Sequence, residues 1–450
     1  MIDRLPVVTH RLAMLAAAGA VAVFLAPNPG QAFWVVNAVV GALALLDWAA
    51  GVSPRRIEIE RELPAVVALD TTAPVVWRVR NPSGRQIHLR LADDLVPSLR
   101  PTSRRAALTL PGNARVSART EVNPSRRGLF QLAGVTVRVD GPLRLMARQA
   151  RLPLPAALRV YPPFRSRREA ELRMDRSHHL QVGLRAAQGR GGGTEFDSLR
   201  EYSSDDEFRR IDWAATARAR KPIVRTYRAE RNQTVLVLLD TGRTMAGRVA
   251  LSSHLADASA AETIPRLDHA MDAVMMMTAV ATRLGDRTGL VCFGDRVRSV
   301  VPPHSGRHQL QAVTEAMYRL QPQLAESDYR GAFAETLTRF RRRALLILLT
   351  ELASQAVGET LLPALPMIAR THLVLIAAVR DPQVEQWARE IPSDAGAAFR
   401  KAAAVQSLDR RARTVAQLRG LGAVVIDAPP GRLAPELADA YLTAKATARL

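Results

Sequence analysis

The sequence TVLVLLD at residues 234–240 decides the fold of the second half of this chain. Runs that are apolar at every position indicate strands buried on both faces, which is typical of parallel sheets. Segments with helical spacing separate such runs, for example RLDHAMDAVMMMTAVATRLG at 266–285. Alternating strands and helices predict an α/β doubly wound sheet over residues 234–450. The other runs are DRTGLVCFG at 286–294, ALLILLT at 344–350, HLVLIAAV at 372–379 and GAVVID at 422–427.

The segment just before the first strand is dense in charged and aromatic residues. Residues 194–230 read TEFDSLREYSSDDEFRRIDWAATARARKPIVRTYRAE. The residues predict a helix within EFRRIDWAATARAR and an ion-pair clasp that pins the segment on the sheet, with Trp213 buried. A direct role in partner recognition is the alternative. The clasp would pair the acids Glu201, Asp206 and Asp212 with the arginines Arg200, Arg209 and Arg218.

Several short motifs in this block carry a family resemblance. The motifs LREY at 199–202, DDEFRRIDW at 205–213 and TARAR at 216–220 precede LLDTGRTM at 238–245. In that order they make the chain closely resemble the domain of unknown function 58 family, although Asp205 stands where the family usually has glycine. The resemblance implies a von Willebrand factor type A domain and a MoxR-type AAA+ ATPase as partner. The signature residues are Arg200, Glu201, Tyr202, Asp206, Arg209, Asp212, Trp213 and Arg218.

Acidic and hydroxyl side chains follow two of the predicted strands, at the edge where doubly wound sheets bind ligands. One group follows the strand 234–240, and another ends the run 344–350. The family resemblance implies a metal-ion-dependent adhesion site there. In such a site oxygen ligands hold Mg²⁺, and an acid from the partner completes the octahedron. The candidate ligands are Asp240, Thr244, Ser327, Asp328 and Glu351.

The predicted metal site is degenerate. Gly242 stands where such a site has its first serine and supplies no side-chain oxygen. We therefore expect weak Mg²⁺ binding that a partner completes. The alternative is that Asp240 and Thr244 only cap the loop or helix that follows. The other correspondences are Asp240 for the first Asp, Thr244 for the second hydroxyl, Ser327 or Asp328 for the Thr, and Glu351 for the last Asp.

Two apolar runs near the N-terminus predict a membrane anchor. Residues 12–26, LAMLAAAGAVAVFLA, are apolar throughout, and residues 32–50 are apolar except for Asn37 and Asp47. Each run approaches the ~20 residues that cross a bilayer. A signal peptide is the alternative for the first run, but the second run follows it directly. Residues 1–54 are therefore predicted to form a transmembrane helical hairpin.

Arginines flank the outer ends of this hairpin. Arg4 and Arg11 precede the first run, and Arg55 and Arg56 follow the second. The positive-inside rule then places the N-terminus and the C-terminal domain in the cytoplasm. The predicted localisation is the inner (cytoplasmic) membrane, with two transmembrane helices.

The middle of the chain has a different rhythm. Residues 55–160 alternate apolar and polar side chains, as in APVVWRVRNPS and VTVRVDGP. This pattern predicts a small antiparallel β-sandwich-like domain with one solvated face. Residues 161–233 are predicted to be a connector. Its GRGGG at 189–193 is not a phosphate loop, because the Gly-Lys-Ser/Thr ending is absent.

The charge of the chain is strongly positive. Its net charge of +21 comes almost wholly from arginines spread along the sequence, with lysine only at Lys221, Lys401 and Lys445. No basic tail or aromatic-interleaved patch of the kind that binds nucleic acid is visible. Anionic lipid headgroups match this charge better. Cys292 is the only cysteine, which excludes a disulfide within the chain.

No catalytic arrangement is recognisable in the sequence. It contains no Gly-x-Ser-x-Gly elbow and no zinc signature, and His304 and His308 flank a Ser-Gly break that indicates surface. We therefore expect no catalytic residues. The resemblance implies a membrane-anchored adaptor or assembly factor for a MoxR-type AAA+ ATPase. The alternatives are an envelope-associated hydrolase or peptidase, and a purely structural envelope scaffold.

Overall fold

The computed structural model describes residues 6–172, 195–203, 206, 208, 211–228, 233–250 and 263–447. His178, His179, Gly189–Gly193, Asp205 and Arg209 lie outside the described residues. The chain divides into two compact units, Met1–Tyr161 and Pro162–Leu450.

Two apolar helices begin the first unit. After the short strand β1 (Val7–Val8), helix α1 spans His10–Leu25 and helix α2 spans Pro29–Ala50. The helices pack closely, since a Cβ on Gly19 would lie 2.7 Å from Val36 Cγ1. The stretch Pro29–Arg56, with a mean hydropathy of 1.8, is long and apolar enough to cross a membrane, whereas α1 is apolar but shorter. The described residues thus contain one candidate span. The second span and the cytoplasmic orientation remain proposals.

Asp47 joins the end of α2 to the β-strands of the same unit. Its buried carboxylate accepts hydrogen bonds from the backbone N–H groups of Leu143 (2.6 Å), Leu145 (2.8 Å) and Met146 (2.8 Å). A Cβ on Gly141 would lie 2.5 Å from this carboxylate, so only glycine permits the approach. The acid inside the predicted membrane run therefore serves as the attachment point of the β-domain.

Two sheets enclose the core of the first unit. Alternate side chains of the strands face this core. On the strand Ala73–Arg80, for example, Val75, Trp77 and Val79 are buried. The strands are β2 (Glu58–Glu62), β3 (Val66–Ala68), β4 (Ala73–Arg80), β5 (Ile87–Asp93), β6 (Arg105–Leu110), β7 (Arg115–Val122), β8 (Gly128–Asp140) and β9 (Met146–Tyr161). One sheet has the order β2-β4-β7 and the other β1-β9-β8-β5-β6, with β3 added beside β9. All pairs are antiparallel except β3–β9, which confirms the predicted antiparallel β-domain.

A six-stranded sheet forms the centre of the second unit. Its strands are β12 (Thr234–Asp240), β15 (Arg287–Phe293), β16 (Val297–His304), β17 (Leu345–Leu349), β18 (Leu373–Val379) and β19 (Val424–Ala428). The spatial order is β16-β15-β12-β17-β18-β19. All neighbours are parallel except β16, which runs antiparallel to β15 at the edge. Counted along the chain, the order is 3-2-1-4-5-6, the order of doubly wound nucleotide-binding sheets.

Helices cover both faces of this sheet. Val237 and Leu239 of β12 belong to one buried cluster, while Leu236 and Leu238 belong to the cluster on the opposite face. The predicted doubly wound α/β architecture is therefore present. The described helices of the second unit are α3 (Trp213–Ala219), α4 (Arg266–Arg283), α5 (His308–Met317), α6 (Tyr329–Arg339), α7 (Ser354–Ala356), α8 (Leu362–Ala369), α9 (Pro382–Arg389), α10 (Ala395–Gly420) and α11 (Leu433–Ala446). A π-helical turn, Val357–Leu361, joins α7 to α8.

Two elements of the second unit differ from the expectation. The predicted connector contains an antiparallel hairpin of β10 (Glu195–Glu201) and β11 (Ile223–Arg228), with α3 between them. Helix α10 has 26 residues, and hydrophobic periodicity did not indicate it. Its many Ala and Arg residues have high helix propensity, which explains a long helix without a broad apolar stripe. A further short pair, β13 (Arg248–Ala250) and β14 (Thr263–Pro265), precedes α4.

Candidate functional site

Asp240 lies at the topological switch point of the sheet. It is the last residue of β12, whose two neighbours are β15 and β17. The chain adds β15 and β16 on one side of β12 and then crosses to add β17 on the other side. The crevice at such a reversal, at the carboxyl ends of the strands, is where doubly wound sheets bind ligands. The Asp240 side chain is fully buried, at 0% exposure. A buried carboxylate at this position must find hydrogen-bond donors within the protein.

Four donors surround the Asp240 carboxylate. Oδ1 accepts from the backbone N–H of Gly242 at 2.8 Å and from the Ser327 hydroxyl at 2.5 Å. Oδ2 accepts from the Tyr329 hydroxyl at 3.0 Å and from the Thr350 hydroxyl at 2.6 Å. The Tyr329 and Thr350 hydroxyls also lie 2.8 Å apart. One carboxylate thus ties together the loop after β12, the segment that begins α6, and the end of β17.

The environment of Asp240 shifts two pKa values upward. Burial raises the pKa of the Asp240 carboxyl, and the hydrogen bonds that it accepts oppose this shift without cancelling it. Burial, followed by the nearby charge of Asp240, raises the pKa of the Tyr329 hydroxyl well above its usual range. Tyr329 therefore stays protonated at neutral pH and remains a hydrogen-bond donor to the carboxylate.

Ser327 occupies the space that a side chain at position 242 would need. A Cβ built on Gly242 would lie 2.0 Å from Ser327 Oγ and 3.1 Å from Asp240 Oδ1. Gly242 supplies no oxygen ligand to the metal site predicted from the sequence. In the structure it makes room for the Ser327 hydroxyl, which comes from another loop. Position 242 accommodates only glycine as long as Ser327 donates to Asp240.

Glu351 takes part in a separate ion-pair network. Its carboxylate contacts the guanidinium groups of Arg411 and of Arg266, the latter at 3.2 Å. Arg411 also pairs with Asp427 of β19 at 2.8 Å. The Glu351 and Arg411 side chains are only 9% and 14% exposed. The charge of Glu351 is thus compensated by arginine, and it makes none of the contacts to Asp240.

The other two candidate ligands also lie outside the hydrogen bonds of Asp240. Thr244 is half-buried in the 3₁₀ turn Arg243–Ala246 that follows β12. Asp328 is exposed and caps α6, accepting from the backbone N–H of Gly331 at 2.9 Å. Of the five candidate ligands, the structure therefore brings together Asp240 and Ser327 only.

The residues at this edge do not fit a resident Mg²⁺ ion. Such an ion needs near-octahedral oxygen ligation, in which carboxylates supply the charge. Asp240 is the one carboxylate of this cluster, both its oxygens accept hydrogen bonds, and Glu351 is held by arginines. Across the described ranges of the chain, no three His, Cys, Asp or Glu side chains converge in a way that would hold a metal. The function proposed below therefore does not depend on a bound metal.

The signature block around α3 is held by ion pairs. Asp206 accepts from Arg200, with one distance of 2.8 Å. Asp212 caps α3 through the backbone N–H groups of Ala214 and Ala215, both at 3.0 Å, and pairs with Arg225 at 2.7 Å. These contacts hold the β10–β11 hairpin and α3 as one element.

The partners within the block differ in part from the expected clasp. The pair Arg200–Asp206 is present, whereas Asp212 pairs with Arg225 and Glu201 with Lys221. Arg218 donates instead to the carbonyl of Ala214, within its own helix, at 3.2 Å. The backbone N–H of Tyr202 donates to the carbonyl of Pro222 at 2.9 Å and closes the hairpin.

Trp213 is not buried. Its side chain is 62% exposed, and that of Phe208 is 67% exposed. The two rings form an edge-to-face pair with centroids 5.7 Å apart. The expectation that Trp213 packs into the core is wrong, because Asp212, the residue before it, turns inward to cap α3 and leaves Trp213 outside.

Other polar residues contribute less to a site. His304 ends β16 and His308 begins α5, and both are exposed. Burial raises the pKa of the Cys292 thiol to about 12 and keeps it protonated. Tyr329 was not among the predicted site residues. The sequence offered one indication of its role: Tyr329 directly follows the candidate ligand Asp328 and begins a predicted helix.

Comparison with known proteins links part of the chain to one family. Residues 198–407 match the model of a family described as "Protein of unknown function DUF58". Similar chains include uncharacterized proteins of Mycobacterium bovis and Mycobacterium tuberculosis. Each is 26% identical over 197 residues, which is 43% of this chain and 57% of the relative. The chain thus spans little more than half the length of the curated relatives it matches.

Among solved structures, the chain is similar to the CARDB domain of PF1109 from Pyrococcus furiosus. The solution NMR structure of that domain has a TM-score of 0.17 and 14% identity, covering 23% of this chain and 94% of the domain. A crystal structure of the same domain in complex with di-metal ions has a TM-score of 0.18 and 12% identity, covering 25% and 90%. A likeness at these TM-scores carries no argument about the function of this chain.

Proposed function

We propose that the protein is a membrane-anchored adaptor whose second unit, a von Willebrand factor type A domain, binds a MoxR-type AAA+ ATPase on the cytoplasmic side. The partner follows from the family resemblance of the signature block. The observation that supports this proposal most directly is that the Asp240 carboxylate is hydrogen-bonded to three segments at the switch point of the sheet. A preorganised edge of this kind suits recognition, because little ordering entropy is lost when a partner docks.

The exposed side of this edge has the character of a protein-binding surface. Leu324, in the loop before α6, is 85% exposed. Arg243 and Glu326 form an exposed ion pair beside the Asp240 loop, and Asp328 is exposed at the start of α6. An apolar side chain with charged neighbours matches the anatomy of transient protein interfaces, which have an apolar centre and a polar rim.

The resulting adaptor does not need a metal ion. In the metal-dependent version of such an edge, a cation joins the loops and presents an open coordination position. Here, hydroxyl groups and one backbone N–H join the loops through Asp240. Recognition would then depend on the exposed side chains of the edge and not on a ligand shared with a cation.

The membrane part of the proposal rests on the first unit. Pro29–Arg56 supplies one span of sufficient length, and α1 packs beside it as the second, shorter helix of a hairpin. Arg11, Arg55 and Arg56 flank the two helices, which favours a cytoplasmic location of both ends.

An enzymatic function is less well supported. A hydrolase or peptidase needs an accessible nucleophile activated by a base. Ser327 donates its hydroxyl to Asp240 inside a fully buried cluster, and the Cys292 thiol is buried and protonated. A purely structural scaffold would not need a preorganised edge with an exposed apolar residue at its rim.

Binding of the purified ATPase to the full chain in nanodiscs tests the proposal. Leu324→Asp should weaken binding, because it removes an apolar contact and adds charge in the loop before α6. Ile391→Asp is the matched control, since Ile391 is 87% exposed and lies between α9 and α10, in a segment that makes none of the contacts to Asp240. No binding by the wild-type chain would exclude the ATPase as partner. Equal binding by wild type and Leu324→Asp would exclude the edge as the docking site.

A further inference from the structure

An exposed aromatic pair belongs to the signature block and makes none of the contacts to Asp240. Phe208 and Trp213 are 67% and 62% exposed, and their rings contact each other edge to face. An isolated exposed apolar side chain is ordinary on a protein surface. Two adjacent exposed aromatic rings are less so, and paired aromatics are among the side chains that contribute most to protein interfaces.

The block holds this pair in a defined position. Asp212, directly before Trp213, accepts two backbone N–H groups at the start of α3 and pairs with Arg225 of β11. Asp206, two residues before Phe208, is held by Arg200 of β10. The Asp206 and Asp212 side chains are therefore largely buried and paired, whereas the rings of Phe208 and Trp213 are exposed. Rigid presentation of this kind lowers the entropy lost on binding.

The end of α3 that follows Trp213 is positively charged. Arg218 and Arg220 lie at the end of α3 and are exposed. In the described part of the block, neither arginine pairs with a carboxylate. Three acids of the block, Glu201, Asp206 and Asp212, contact Lys221, Arg200 and Arg225 instead.

We infer that Phe208, Trp213, Arg218 and Arg220 form a second docking surface, which binds an acidic segment of a protein partner that also carries an apolar side chain. Trp and Arg are the residue types most enriched among interface hot spots. Acidic side chains of the partner would meet the two arginines, and its apolar side chain would cover the rings. The inference is independent of which protein supplies the segment.

Two other occupants are less compatible with the surface. A second copy that met this surface with its own α3 would bring arginines against arginines, and the net charge of +21 disfavours self-association. A lipid bilayer is bound by helices with a broad apolar face. Helix α3 has only seven residues, WAATARA, and Trp213 is its single large apolar side chain.

Site-specific photo-crosslinking in cells tests the inference on the full chain. Trp213 is replaced by p-benzoylphenylalanine, and Phe399, which is 77% exposed on α10, carries the same replacement as the control. Mass spectrometry then identifies the crosslinked peptide. We expect an adduct from position 213 on a segment rich in Asp and Glu, and its loss when Arg218→Glu and Arg220→Glu are added. Arg400→Glu, an exposed arginine on α10, is the charge control.

The outcomes separate this inference from the proposed ATPase partner. An acidic segment of the ATPase supports both, and Trp213→Ala should then weaken its binding by about 30-fold. An acidic segment of another protein, lost with the arginine reversals, supports the docking surface and removes the ATPase as its ligand. An adduct on lipid, on a second copy or on a segment without acids overturns the inference. The inference is also overturned if the crosslinking yield from position 213 is no greater than that from position 399. It is overturned as well if the adduct persists when Arg218→Glu and Arg220→Glu are added.

Discussion

The hydroxyl of Ser327 lies where the side chain of residue 242 would begin. A Cβ on Gly242 would approach Ser327 Oγ to 2.0 Å, and that same hydroxyl donates to Asp240 at 2.5 Å. Two positions that lie far apart in the sequence thus share one small volume beside a buried carboxylate. The relationship explains a glycine in the loop after β12 without invoking lost function.

Gly242→Ala should destabilise the second unit by about 1–3 kcal/mol, because the new methyl group displaces Ser327 from Asp240. Chemical denaturation of the full chain measures the change. Gly420→Ala is the control, since nothing lies within 4 Å of a Cβ there. Adding Ser327→Ala to Gly242→Ala should recover part of the loss. Strict additivity of the two substitutions would contradict the shared volume.

Asp240 should make stability depend on pH in an unusual direction. Its pKa is raised by burial from an ordinary value of 3.8, so the folded state binds this proton more tightly than the unfolded state. The contribution to stability is therefore full below 3.8 and is lost as the pH rises through the folded pKa. The unfolding free energy of wild type minus that of Asp240→Asn should therefore fall as the pH rises from 3.8 through the folded pKa of Asp240.

Asp295→Asn provides a control of opposite sign for that measurement. The hydrogen bond from Arg298 lowers the pKa of the Asp295 carboxyl, so its contribution is present above 3.8 and is lost as the pH falls through the folded pKa. A wild-type minus Asp240→Asn difference that rises with pH would contradict the buried, proton-retaining carboxyl.

Mg²⁺ should not raise the melting temperature of the full chain. A ligand that binds only the folded state stabilises it by an amount that grows with the logarithm of the ligand concentration once that concentration exceeds Kd. The carboxylates nearest the switch point are held by hydroxyl groups or arginines. Differential scanning fluorimetry with Mg²⁺ or with EDTA checks this expectation. A saturable rise with Mg²⁺ that disappears in Asp240→Asn would restore the metal-binding hypothesis.

Arg411→Ala should cost up to about 3–5 kcal/mol, because the half-buried Asp427 loses this partner and the buried Glu351 keeps only Arg266. Arg413→Ala, on the same helix, is the matched control. Arg413 pairs with Asp409 on the surface, where both side chains are more than half exposed, and such pairs contribute about 0–1 kcal/mol. Urea denaturation of both variants gives the comparison, and equal losses would contradict the network.

Trp213→Ala should change stability by less than about 0.5 kcal/mol, as is usual for exposed positions. Trp77→Ala should cost about 3–5 kcal/mol, since Trp77 is 1% exposed in the core of the first unit. The two tryptophans belong to different compact units, so each variant is compared with wild type in the transition of its own unit. A large loss in Trp213→Ala would return this residue to a structural role.

The sequence by itself determined the parts of this fold that depend on local pattern. The uninterrupted run of β12 predicted a strand buried on two faces, and period-two alternation predicted strands such as β4. Both signals arise from which side of a strand each side chain occupies, a property of neighbouring residues. The strand-end position of Asp240 followed from the same local reasoning.

Only the tertiary structure decided what Asp240 does. Its hydroxyl partners Ser327, Tyr329 and Thr350 are 87, 89 and 110 residues away in the sequence. No local pattern specifies which of several oxygen-bearing residues meet once the parallel strands pair. The same holds for Glu351, which satisfies its charge with arginines brought in by α4 and α10. A buried charge takes whichever partners the packed helices supply, and that choice is made by the fold as a whole.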